Sequence, residues 1–195
     1  MISKISGKLL NKSPSFIIVK SGGIGFEILI SGKTFEKLPS INTEIEINTY
    51  LHIRENELKL VGFATPEEKE FFLKLLEVSG VSIKIGLSAL SIYTVDEIKS
   101  AIINGEVELL RRIPGIGKKL AERIILELRE KLSQDAEVSR IDFLWENEKV
   151  SEARQALKAL GYSSQEISRA LAKIKNINLN DMRTEDLVKL LLKEV

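Results

Sequence analysis

The sequence predicts a multidomain α+β protein: an N-terminal β-barrel, a central tandem of helix-hairpin-helix elements and a C-terminal three-helix domain. Three observations predict it. Alternating and β-branched apolar segments fill residues 1–63 and then stop. Helix-start signals replace them from Thr65 onward. A Pro-Gly-Ile-Gly-Lys-Lys stretch at 114–119 lies between two amphipathic helical patterns.

The strand segments are IIVKS, IGFEILI, IEINTYLHI and LKLVGF, with ISGKLL ahead of them. Gly22-Gly23 separates the first two and reads as a hairpin turn. Such a unit suits a small closed barrel of the OB-fold type, and an SH3-like barrel fits the pattern nearly as well. Gly32-Lys33-Thr34 resembles the end of a phosphate-binding P-loop. Glu27 stands where that loop needs its first glycine and no long helix pattern follows, so nucleotide binding is rejected there. His52 falls in an alternating strand and reads as a barrel residue.

Thr65-Pro66-Glu67-Glu68 combines a capping threonine, a first-turn proline and acids at the positive helix end. Phe71, Phe72, Leu75 and Leu76 supply the apolar face. Thr94 with Glu97 reads as a capping box. A longer helix is expected from Lys118 to about Leu132, closing a domain over residues 64–132. Residues 133–148, SQDAEVSRIDFLWENE, read as a flexible linker. Its apolar knot at Phe143, Leu144 and Trp145 is either a docking point or a short turn. Residues 149–195 read as three short helices, a UBA-like domain. The first ends at Gly161, the second starts at Ser163 with Glu166 completing a capping box, and the third follows Thr184. So small a unit more often binds a partner than carries chemistry.

Composition narrows the function. There is no cysteine and one histidine, which excludes disulfides, thiolate zinc sites, cysteine nucleophiles and imidazole clusters; no metal or cofactor is expected. No signal-like run opens the chain, and no stretch approaches the roughly 20 apolar residues of a membrane span. The expectation is a complete, cytoplasmic chain without a membrane partner. Net charge is only +1, so nucleic-acid binding must rest on local charge. Leu109 to Lys131 holds seven basic residues against three acidic ones. Taken alone, such a run is most simply a solvated helix face.

The glycine turn gives that charge a geometry. Pro114 ends one helix; Gly115 and Gly117 permit positive φ and close backbone approach; Ile116 tucks between the helices. The first amides of the next helix then point outward beside its positive end, an anion site reinforced by Lys118 and Lys119. Nothing there reads bases, so the expected grip is on phosphate and independent of sequence. A partial repeat supports this: Gly80-Val81-Ser82-Ile83-Lys84 echoes Gly115-Ile116-Gly117-Lys118-Lys119, 35 positions on. In the first copy Ser82 replaces the second glycine, so its role is phosphate binding or purely structural. The enzyme alternative is a helix-hairpin-helix DNA glycosylase using Asp135, 18 residues beyond Gly117, although no base-binding aromatics accompany it. A third alternative is an adaptor acting through the tail alone.

Over essentially its full length the chain resembles the RuvA family, the Holliday-junction-binding subunits of the bacterial branch-migration machine. The likeness lies in GGIGFE, HIRENELKLVGF, PGIGKKLAERIILEL and ALKALGYSSQEISRAL, in that order. It implies an OB-fold barrel, a double helix-hairpin-helix domain and a mobile C-terminal domain. It also implies a non-catalytic homotetramer, single or paired as an octamer, that holds an open four-way junction. The implied partners are the RuvB AAA+ ATPase, recruited by the tail, and the RuvC resolvase in a shared complex. Carried over by position, Gly80, Lys84, Gly115, Gly117, Lys118, Lys119 and Arg123 are implied phosphate contacts. Glu55, Asn56 and Glu57 form the implied acidic pin at the junction centre, where Asn56 departs from the usual second acid and Glu57 is a candidate substitute. Leu157, Leu160, Tyr162, Ile167 and Leu171 are the implied motor-facing candidates, several of which must instead be core.

Overall fold

The computed structural model describes residues 2–55, 57–145, 147–174 and 182–194, with backbone alone for 135–145. It divides into two compact units, residues 1–130 and 131–195.

In the first unit β1 (Lys4–Lys12), β2 (Phe16–Ser21) and β3 (Ile24–Ile30) form an antiparallel meander. The turn joining β2 to β3 uses Gly22 and Gly23 at φ of 55° and 88°, values that favour glycine. β4 (Glu44–Arg54) returns to β1, and β5 (Glu57–Phe63) pairs antiparallel with β4 and parallel with β3. The sheet closes in the order β1-β2-β3-β5-β4. This closure, with a helix between β3 and β4, is the OB arrangement and removes the SH3-like alternative. The strand alternation explains the interior: Ile5, Leu9, Ile17, Val19, Ile28 and Ile47 are buried there.

The helix between β3 and β4 is α1 (Gly32–Lys37), capped by the Ser31 hydroxyl, which accepts from the Thr34 amide at 3.0 Å. Gly32-Lys33-Thr34 therefore serves as a short helix start. At six residues, α1 leaves no amphipathic period to recognise.

Helix α2 (Pro66–Glu77) begins as its cap predicts, with Thr65 accepting from the Glu68 amide at 3.3 Å. Glu68 is the one buried carboxylate among the described residues. It accepts from the Thr34 hydroxyl at 3.1 Å, the Ala64 amide at 3.0 Å and the Lys37 ammonium at 2.6 Å, so it ties α1 to α2 and hence barrel to helices. α3 (Ile83–Ile92), α4 (Val95–Asn104) and α5 (Val107–Arg111) follow. The Thr94–Glu97 capping box forms in full, and Gly105 ends α4 at φ 76°.

Helix α6 (Lys118–Trp145) corrects the expectation of an end near Leu132. It continues through most of the segment read as a linker. The sequence there is polar but contains no glycine or proline, and Glu, Gln, Ala and Arg propagate a helix well. Polarity alone does not make a backbone irregular where no helix breaker interrupts it. The side chains of Phe143, Leu144 and Trp145 lie outside the described residues.

The second unit holds α7 (Glu148–Ala159), α8 (Ser164–Lys173) and α9 (Thr184–Leu192). Gly161, at φ 98°, follows α7, and the Ser163–Glu166 box opens α8. Thr184 lies inside α9, whose cap position is Arg183; its hydroxyl donates to the Glu152 carboxylate at 2.7 Å.

Candidate nucleic-acid interface

The two hairpins correspond residue by residue at the 35-residue spacing of the repeat. Leu75 and Leu110, Val78 and Ile113, Val81 and Ile116, and Ala89 and Ile124 are all buried, each pair 35 apart. In each turn one amide donates back over three residues, Val81 to Val78 and Ile116 to Ile113, both at 3.0 Å. Gly80 and Gly115 have φ of 96° and 94°. A Cβ on Gly115 would lie 2.9 Å from Ile85 of α3, and one on Gly80 would lie 3.3 Å from Leu120 of α6. Each turn thus nests against the helix of the other copy, which fixes both turns in one rigid unit.

The predicted cradle is open to solvent. Gly115, Gly117, Lys118 and Lys119 are exposed while Ile116 is buried beneath them. Only Gly115 uses positive φ; Gly117 contributes by having no side chain, with nothing within 4 Å of the place a Cβ would occupy. The Gly117 carbonyl accepts from Ala121 at 2.9 Å, so the amides of the first α6 turn precede the helical ladder. No acidic residue lies in that turn. Lys84, Lys118 and Lys119 make no ion pair or hydrogen bond among the described residues. They are uncompensated charges beside the positive end of a helix.

The first hairpin differs from the second at its helix start. Ser82 caps α3 with its own hydroxyl, which accepts from the Ile85 amide at 3.4 Å and occupies a donor that the second hairpin leaves open. Arg123 has a task that sequence reading missed: its guanidinium donates to the Ser79 carbonyl at 3.1 Å, bracing the first turn from α6. Lys59 of β5 was missed as well. It lines a groove of about 440 Å³ together with Lys84 and Pro114, between barrel and hairpins. No sequence signal brings it there, since barrel closure does.

At the β4–β5 tip, Glu55 is exposed and Asn56 lies outside the described residues. Glu57 does not present a free charge: its carboxylate is bonded to the Lys59 ammonium, which holds it below the usual carboxylate range. In the second unit Leu157, Ile167 and Leu171 are fully buried, in a core shared with Val150, Ala153, Ala170, Leu187 and Leu191. They cannot face a partner; three helices this short need every inward side chain. Tyr162 packs against that core, and Leu160 is 63% exposed. Leu192, 39% exposed on α9, is a further outward apolar residue that sequence reading did not single out.

A closed OB barrel fused to paired helix hairpins that expose glycine turns and free lysines defines a class: a barrel and tandem-hairpin protein shaped to cradle an anionic backbone. Comparison with known proteins agrees along the chain. Residues 1–62 match the RuvA N terminal domain, residues 72–130 the SAM-like helix-hairpin-helix tandem, and residues 148–194 the RuvA C-terminal domain. A relative from Laribacter hongkongensis is 40% identical over 89% of this chain and 90% of its own length. Relatives from Thioalkalivibrio sulfidiphilus and Dehalococcoides mccartyi are each 36% identical, over 99% and 98% of this chain and 98% and 97% of their own. All three carry the name Holliday junction branch migration complex subunit RuvA. The chain belongs to the RuvA family. The glycosylase reading built on Asp135, a residue that falls within α6, is not retained.

Proposed function

We propose that this chain binds four-way (Holliday) junction DNA by its phosphate backbone, without reading sequence, as a non-catalytic subunit of a branch-migration complex. The observation that carries the proposal is the exposed turn at 115–119, with open amides and unpaired Lys118 and Lys119, doubled by the related turn carrying Lys84. Backbone amides and ammonium groups complement phosphate oxygens and are blind to base identity. Two such turns in one rigid unit suit two phosphate stretches. Gly80, Gly115 and Gly117 let the backbone approach; Lys84, Lys118 and Lys119 supply charge; Arg123 braces the first turn and keeps half its surface for DNA.

The relatives' shared name supports the complex. In this proposal several copies, four by family resemblance, surround the junction in the cytoplasm. The second unit recruits a RuvB-type ATPase through the outward Leu160 and the partly buried Tyr162, and a RuvC-type resolvase shares the complex. The test is a competition binding assay between a four-way junction and linear duplex of equal length and varied sequence, alongside mass measurement in solution. The proposal expects the junction to be preferred whatever its sequence. Equal affinity for linear duplex would overturn it.

A further inference from the structure

The groove of about 440 Å³ between the barrel and the hairpins lies wholly inside the first unit. Its size falls within the roughly 300–1,000 Å³ of sites that take small molecules. One wall is a single face of α3: Lys84, Leu87, Ser88 and Ser91 line it, and their spacing puts all four on one side of a helix. The barrel supplies the other wall through Pro14, Leu29 and Ile30, and Pro114 stands at the turn of the second hairpin. Both walls are tied down. The Ser91 hydroxyl donates to the Leu87 carbonyl at 2.7 Å and accepts from the Gly32 amide at 2.9 Å, which fastens α3 to α1. The Ile30 amide donates to the Ser15 carbonyl at 3.0 Å. The groove is therefore formed before any ligand arrives.

Its lining is apolar with a few cationic and hydroxyl groups. Leu29 and Leu87 are half-buried and Ile92 is 41% exposed, so the apolar walls face water. No carboxylate is found among the described residues that line it. Lys59 is engaged by Glu57. Lys84 has no partner among the described residues, and the half-buried Ser88 hydroxyl, one turn further along the same face of α3, makes no hydrogen bond there. An ammonium and a hydroxyl one turn apart suit the oxygens of one anionic head. Apolar walls suit a hydrocarbon body and offer a bare phosphate nothing. A nucleobase would leave its polar edge unpaired against leucine, isoleucine and proline.

We propose that this groove is a site for a small amphipathic anion, an apolar body carrying one sulfonate, carboxylate or phosphate group, which takes the Lys84 seat in competition with DNA. The binding stands on the groove alone; the competition rests on the junction-binding reading above. The probe is anilinonaphthalene sulfonate, whose fluorescence rises in apolar surroundings, titrated into the full chain. The wild type should show a saturable rise with one probe per chain. Lys84→Ala should weaken probe binding by about tenfold, as the loss of a charge-assisted hydrogen bond implies. Ser88→Phe fills the groove from α3 and should abolish the rise, with circular dichroism showing that the helices are kept. No saturable rise in the wild type would overturn the site. So would a rise that either variant leaves unchanged, which places the probe on apolar residues elsewhere, such as Leu126 at 81% exposure. A lower mass of Ser88→Phe in light scattering would also overturn it, by assigning the groove to contact with a second copy. A saturating four-way junction should release the probe from the wild type. A probe that stays bound beside bound DNA would overturn the competition and leave the site. A chain that binds the probe and not the junction would overturn the junction-binding reading and leave the site.

Discussion

Replacing Lys118 and Lys119 by alanine isolates the electrostatic part of the proposed grip. Both side chains are exposed and lack an ion-pair partner among the described residues, so their removal leaves no buried charge and no broken network there. Stability should therefore change little, and the effect should appear in binding. Each lysine that neutralises a phosphate releases about 0.9 counterion from duplex DNA, so the double variant should show a log-log salt slope shallower by about 1.8 per engaged protomer. Between 50 and 200 mM salt the variant should then lose about tenfold less affinity per protomer than the wild type loses. If four copies engage, the slope difference scales with them, which makes the slope a count of contacting protomers. The assay is fluorescence anisotropy of an end-labelled four-way junction at several salt concentrations, with Lys193→Ala in the second unit as the control. An unchanged slope would refute the assignment of these lysines to phosphates, however much the absolute affinity moved.

Other consequences follow from packing. Gly115→Ala forces a non-glycine residue to φ 94° with its Cβ 2.9 Å from Ile85 and should cost about 1–3 kcal/mol in urea unfolding; Gly105→Ala, at φ 76° in open space, should cost less. Glu68→Ala strands the Thr34 hydroxyl and the Ala64 amide, and should destabilise the first unit by about 1–3 kcal/mol in the same assay. In the second unit Leu157→Ala removes a core side chain and should cost about 2–5 kcal/mol, while Leu160→Ser should leave helical circular dichroism intact and weaken capture of a RuvB-type ATPase.

What the sequence made legible was local chemistry. The Thr65 cap, the Thr94 and Ser163 capping boxes, the Gly22-Gly23 turn and Gly161 after α7 each depend on a few adjacent residues, and each is found where it was expected. The exposed turn proposed as the cradle was legible for the same reason, because Gly115, Gly117, Lys118 and Lys119 are neighbours in the chain. Features built from distant segments were hidden. Glu68 looks like an ordinary first-turn acid until α1 folds against it with Lys37 and Thr34. Lys59 looks like a strand lysine until barrel closure sets it beside Lys84. The end of α6 was hidden because a polar stretch without a helix breaker carries no local signal of where the helix stops. In the tail, a helical period gives the apolar positions but not the direction each faces, so Leu157 and Leu160 were separable only by their burial.

The most direct measurement is amide hydrogen exchange of the full chain with and without a saturating four-way junction. Amides at the start of α6, around residues 117–120, should be slowed by DNA, with a smaller effect at 82–85 where Ser82 already occupies a donor and none along α4. Slowing confined to other surfaces, with the first α6 turn exchanging as fast as in the free protein, would contradict the assignment of that turn to the DNA backbone.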